Sequence, residues 1–288
     1  MQKMIGGQAR FGRGLLWFVL AMVVPLQGAQ VAAEDDPTGP SSAARLKFIQ
    51  QILDDMRVES TVEGDQRDLK FQMTPLLRYN DTPRGIADSL IFRLGTRGRP
   101  VAIVTAELYG RTGRQFSLNH EFLAIDDPRM RLQRDAFRWQ PPLEAGVKFL
   151  PIETDKPPAN TPRARLAQFK QLAGRFTARE EWADEEMELR LLPTPIDRYV
   201  PSDKPNADAA IFAFVQGVNP EALIFLETDG TRSSYGWARL GAAQVRAQLD
   251  GKLVWEVSQA TLHEHPTAGY TSIHRSAFVP LVLETKDE

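Results

Sequence analysis

Cysteine is absent from all 288 residues. That removes disulfides, a thiolate nucleophile, Cys-ligated zinc and a lipid anchored on a lipobox cysteine. Histidine is scarce, at four residues, which leaves little material for an imidazole metal site. The common catalytic signatures are missing as well: no Gly-x-Ser-x-Gly elbow, no phosphate-binding P-loop, no His-Glu-x-x-His and no calcium loop. Gly95 to Pro100 contains glycine and arginine, but it lies between two strand-like runs, where a phosphate cradle needs a helix N-terminus. Neither charge sign dominates: 35 Lys and Arg stand against 37 Asp and Glu. Nothing in that balance asks for nucleic acid, and no cofactor is expected.

What is present begins with a leader. Residues 1–33 read as a signal peptide: Lys3, Arg10 and Arg13 precede an apolar run from Leu15 to Leu26, and Val31-Ala32-Ala33 supplies small residues for cleavage. The run is shorter than the about 20 residues of a membrane-spanning helix. The expectation is an exported protein, periplasmic or extracellular, with no membrane span after cleavage. Residues 34–40 read as a flexible N-terminus.

The rest of the chain carries an internal repeat. Residues 37–107 align with 157–227 without a gap, and 17 of 71 positions are identical, where chance gives roughly 4. Arg78/Arg198, Asp88/Asp208 and Glu107/Glu227 are among the matches. The reading is two units, 41–153 and 154–288. Each opens with an amphipathic helix. Ser41 or Ser42 can cap the first, and Thr161 followed by Pro162 starts the second. Strand-like runs follow, among them Ser89–Leu94, Pro100–Glu107, Ala209–Val215 and Ala222–Glu227. The predicted fold class is therefore α+β: an internal duplication in which each unit is a helix followed by five or six mostly antiparallel strands, the two docked with pseudo-twofold symmetry. Trp139 to Phe149 is a shorter interval than Trp255 to Phe278, so an extra loop over 256–276 is expected in the second unit.

The stretches Leu189 to Tyr199, Asp208 to Val215, Asn219-Pro220-Glu221 and Gly98 to Ala102 resemble an uncharacterised family of exported proteins of planctomycete-type bacteria. The resemblance covers most of the chain after the leader. That family has no known activity, so it transfers no catalytic residue.

The candidate ligand-binding residues are the retained polar set Arg78, Asp88, Glu107, Arg198, Asp208 and Glu227. They could form two equivalent sites or a carboxylate pair for acid–base work. Retention of both copies points instead to Arg–carboxylate bridges that pin strand ends, because one active site would suffice. His263, His265 and His274 are the candidate metal ligands for zinc or copper. Incidental histidines in a polar loop are the preferred account. Arg84, Arg97, Arg99, Arg111 and Arg114 fall in turns where an acidic glycan could dock. The reading is a non-enzymatic binding or interaction protein of the cell envelope, with an envelope protein or acidic glycan as partner. The alternative is a hydrolase using a carboxylate pair or a histidine-bound metal.

Overall fold

The computed structural model describes residues 40–65, 67–110, 115–154, 156–261 and 265–278. The leader, and with it the cleavage site, lies outside the described residues. Two helices form where the caps predict them. Helix α1 (Ser42–Asp54) starts on Ser41, whose hydroxyl accepts from the Ala44 amide at 3.2 Å. Helix α2 (Pro162–Ala173) starts on Thr161, whose hydroxyl accepts from the Ala164 amide at 3.3 Å, with Pro162 in the first turn.

Strands make up the rest. The first half contributes β1 (Arg57–Ser60), β2 (Leu77–Asp81), β3 (Ile86–Leu94), β4 (Ala102–Gly110), β5 (Gln115–Ala124), β6 (Met130–Arg134), β7 (Phe137–Trp139) and β8 (Leu150–Ile152). After α2 come β9 (Phe176–Trp182), β10 (Glu185–Leu191), β11 (Asp197–Tyr199), β12 (Asp208–Gln216), β13 (Asn219–Thr228), β14 (Ser233–Arg239), β15 (Gln244–Leu249), β16 (Lys252–Val257) and β17 (Tyr270–Phe278). They assemble, all antiparallel, into three sheets: β17-β5-β4-β3-β2, then β16-β15-β9-β10-β12-β13-β14-β8 with β11 also on β12, and a small β1-β6-β7.

This overturns the α+β expectation of two docked helix-plus-strand units. The chain is mostly β, 48% strand against 12% helix, with a curled sheet. The physical reason lies in the central strands. Strands β3, β4, β12 and β13 are buried along nearly their whole length, so a single covering helix accounts for only one of their faces. On one face of the large sheet, α2 lies over β12 and β13. There β9, β10 and β15 bend round so that Phe176, Leu189 and Val245 join Phe169, Phe212 and Phe214 in one core. The other face meets the five-stranded sheet. Ile91, Ile103 and Leu123 interleave there with Ile211, Leu223 and Phe225, the aligned packing of two inner sheet faces.

The two sheets also trade edge strands. Strand β8, from the end of the first half, pairs with β14 of the second, and β17, from the end of the second, pairs with β5 of the first. Neither half is closed without the other. The trade also corrects the extra loop placed at 256–276. Residues 256–257 finish β16, and 270–276 lie in the ladder of β17 on β5. Prolines set the remaining differences. Leu189–Tyr199 breaks into β10 and β11 around Pro193 and Pro195, since proline cannot donate to a ladder.

His120 on β5 is buried, stacked at 6.0 Å on Phe122, and its Nε2 has no hydrogen-bond partner. Burial first, then Arg134 and Arg275, pushes its pKa down to about 3. A base depressed in the fold contributes stability that is present above its unfolded pKa of about 6.5 and lost as pH falls towards 3. His120→Phe is therefore expected to add about 2–3 kcal/mol at pH 4 and little at pH 7. Urea melts at the two pH values check this, and an equal change at both would refute it.

Candidate functional site

The six sequence candidates divide into two kinds. Asp88 is buried between two guanidinium groups: Arg45 Nε of α1 donates to Oδ2 at 2.7 Å and Arg78 Nε of β2 donates to Oδ1 at 2.8 Å. Arg78 also donates to the Ser42 carbonyl and Arg45 to the Pro40 carbonyl, each at 2.7 Å. The same contacts recur 120 positions on. Arg165 Nε and Arg198 Nη2 donate to Asp208 Oδ2 at 2.9 and 2.6 Å, and Arg165 reaches the Ala159 carbonyl at 3.0 Å. These are clamps that fasten a helix start to a strand, which is a structural use of charge.

Glu107 and Glu227 part company. Glu227 on β13 receives Arg99 Nε at 2.8 Å and Nη2 at 2.7 Å, a bidentate pair from the other half of the chain, and Tyr199 Oη donates at 2.5 Å. Position 219, which answers to Arg99 in the repeat, is Asn219. Glu107 accordingly accepts from neutral donors: Tyr79 Oη at 3.3 Å, Tyr109 Oη at 2.9 Å and Asn119 Nδ2 at 3.1 Å.

Alternation along the strands brings more carboxylates to Glu107. In β4 and β5 the cross-strand pairs run Ile103–Leu123, Thr105–Glu121 and Glu107–Asn119 on one face. That face is apolar at the Ile103 end, where it meets the second sheet, and acidic at the other. Glu221 sits at a bulge of β13, where the pairing with β12 passes from Ala222 to Pro220, and it reaches Arg84 at the seam. Glu180 arrives from β9. The result is a cavity of about 320 Å³ at the seam, with Glu107, Glu121, Glu180, Glu221, Tyr109 and Trp182 in its wall.

A single guanidinium faces these groups in that wall. Arg84 closes a 3-10 turn, Thr82–Arg84, that Asp81 caps and Gly85 ends with φ +75°. It pairs with Glu221, with Glu180 at 3.3 Å and with Asp81 at 3.6 Å. Gly241 leaves room for Glu221, since a Cβ there would strike the Glu221 Oε2 atom. Glu180 is 1% exposed, and its Oε2 has no donor beyond the carboxyl of Glu221. Burial, then the neighbouring Glu180 charge, pushes Glu221 up to about 8. Burial raises Glu180 too, opposed by Arg84. Burial and then Glu107 raise Glu121 well above the usual range. Like charges this close cannot all ionise, so Glu180 and Glu221 share protons as a pair.

Larger hollows carry less chemistry. One of about 1110 Å³ beside α2 contains Arg165 and Arg175, both committed, to Asp208 and Asp250. Another of about 610 Å³ is walled by stacked Trp237 and Trp255. Of the candidate metal ligands, His265 Nε2 is 2.6 Å from Thr261 Oγ1, and His274 on β17 lies beside Tyr109 of β4. His263 lies outside the described residues. Among the described residues no three metal-capable side chains converge. Of the turn arginines expected to take an acidic glycan, Arg84 and Arg99 are spent on carboxylates of the other half, and Arg111 and Arg114 lie outside the described residues.

Sequence reasoning missed Glu121, Glu180 and Glu221. The available signal was parity at Glu121, which sits two positions from core residue Leu123 inside an apolar run. Among the described residues no helix is long and apolar enough to cross a membrane. No family model, no curated protein and no solved structure matches the chain.

Proposed function

We propose that this is a non-enzymatic binding protein of the cell envelope, whose ligand seats in the acidic cavity between the two sheets. One observation carries the reading. A buried carboxyl, Glu180, whose Oε2 has no donor beyond the proton it shares with Glu221, sits in a cavity wall that holds three further glutamates and one guanidinium. Such a wall is costly to maintain in the fold, and a bound donor or cation relieves that cost. Ligand entry then displaces protons held by the glutamates, so affinity rises with pH. Calorimetry in two buffers of different ionisation enthalpy is expected to show about one proton released per ligand bound at pH 7. Binding without buffer dependence would remove this site from consideration.

The second reading is a hydrolase. It is favoured by the Glu180–Glu221 pair, in which one carboxyl keeps its proton near neutral pH, as an acid–base couple requires. Turnover of ester, glycoside or peptide substrates by the purified protein, abolished in Glu180→Gln and Glu221→Gln alike, would replace the binding function.

A further inference from the structure

We infer that the ligand of the seam cavity is a small organic cation, an amine or guanidine joined to a short apolar body. This rests on the binding function proposed for that cavity. Three observations point to it. The wall holds carboxyls in excess: Glu107, Glu121, Glu180 and Glu221 face one cation, Arg84, and gain negative charge as their protons are displaced. The nearby Arg239 does not redress this, because its donors go to the carbonyls of Gly241, Ala242, Ala243 and Ser258. Next, once the proton shared with Glu221 is displaced, the buried Glu180 Oε2 is left without a donor, which an ammonium or guanidinium N–H supplies and a neutral hydrocarbon does not. Finally, the wall carries aromatic surface beside the carboxylates. Tyr109 lies within it, and Trp182, at the end of β9, is left 39% exposed. An aromatic face next to carboxylates is the recognised setting for an organic cation with an apolar stem.

A bare metal ion fits less well. Among the described residues no three carboxylates or imidazoles come close enough to coordinate one. A hard cation would also leave the aromatic wall without a partner. The volume, about 320 Å³, lies at the small end of ligand cavities, which suits a chain of a few carbons and not a peptide.

The test is titration calorimetry of the full-length mature chain with agmatine, putrescine, butanediol, succinate and calcium chloride. Agmatine or putrescine is expected to bind with affinity rising by about fiftyfold from pH 6 to pH 8. Glu180→Gln is expected to weaken it by about tenfold or more, and the surface change Trp182→Ala by several-fold. The second variant guards against a Glu180→Gln protein that fails to fold. Butanediol, succinate or calcium binding in place of the amines, and lost in Trp182→Ala or Glu180→Gln, would overturn the cation class while leaving the cavity as the binding site. Amine binding unchanged in both variants would place the amine elsewhere and overturn the inference. Silence from all five probes would overturn the inference and the binding function together.

Discussion

Glu221→Gln is expected to make the protein more stable at pH 9 while changing it little at pH 5. Glu221 titrates near 8 in the fold because burial and the Glu180 charge oppose its ionisation. Unfolded, it titrates near the ordinary glutamate value of about 4.3. A carboxyl raised in the fold contributes stability that is fully present below the unfolded value. That stability is lost as pH climbs to the folded one. For Glu221 the window runs from about pH 4.3 to about pH 8, and the loss is on the order of 5 kcal/mol. Glu121 is shifted in the same direction and adds to the slope. Glutamine is nearly isosteric and has no charge to desolvate, and Arg84 keeps Glu180 and Asp81 as partners. The wild-type curve of stability against pH should therefore fall through this range more steeply than that of the variant. Urea melts of both proteins at pH 5, 7 and 9 would show it. Parallel curves would mean that Glu221 is not held protonated.

Asp88→Ala is expected to cost about 3–5 kcal/mol, and Asp208→Ala about the same. Each removal takes a buried carboxylate away from two guanidinium groups at a helix start. Arg45 and Arg165 are themselves buried, so the loss is that of a buried, charge-assisted pair and not only of a bond between exposed groups. Arg78 is half-buried and Arg198 exposed, so both can turn to water, which limits their share. A drop of roughly 10 °C in melting temperature follows for a domain of this size. Asp88→Asn should lose less, because an amide still accepts from both arginines. A melting temperature within about 2 °C of wild type in Asp88→Ala would show that the clamp is idle.

These clamps were legible before any coordinates, since Arg78, Asp88, Arg198 and Asp208 recur at a fixed spacing. A residue kept in both copies is under the same local demand in both. The acidic cavity was not legible in this way because it breaks the repeat. Glu107 and Glu227 are the same residue in sequence, yet one meets Arg99 and the other faces Asn119, Tyr79 and Tyr109. The difference turns on position 219, where asparagine stands in the place that arginine holds at position 99. Nor could periodicity show that Glu121, Glu180 and Glu221 converge. Each comes from a different strand, and their meeting depends on which sheet faces which.

The sequence by itself determined the starts of both helices, the repeat, the cysteine-free economy that leaves stability to the core, and the most buried strands. Caps, apolar runs and prolines act over a few residues, so they can be read along the chain. Only the tertiary structure decided the mostly-β architecture, the curl of the large sheet and the exchange of β8 and β17 between the sheets. Edge pairing joins residues more than a hundred positions apart, as Ser272 Oγ shows in donating to Asn119 Oδ1 at 2.8 Å. A strand's hydrogen-bonding edges are nearly alike whatever the side chains. Its partner is therefore chosen by which faces bury together, and that choice belongs to the whole molecule.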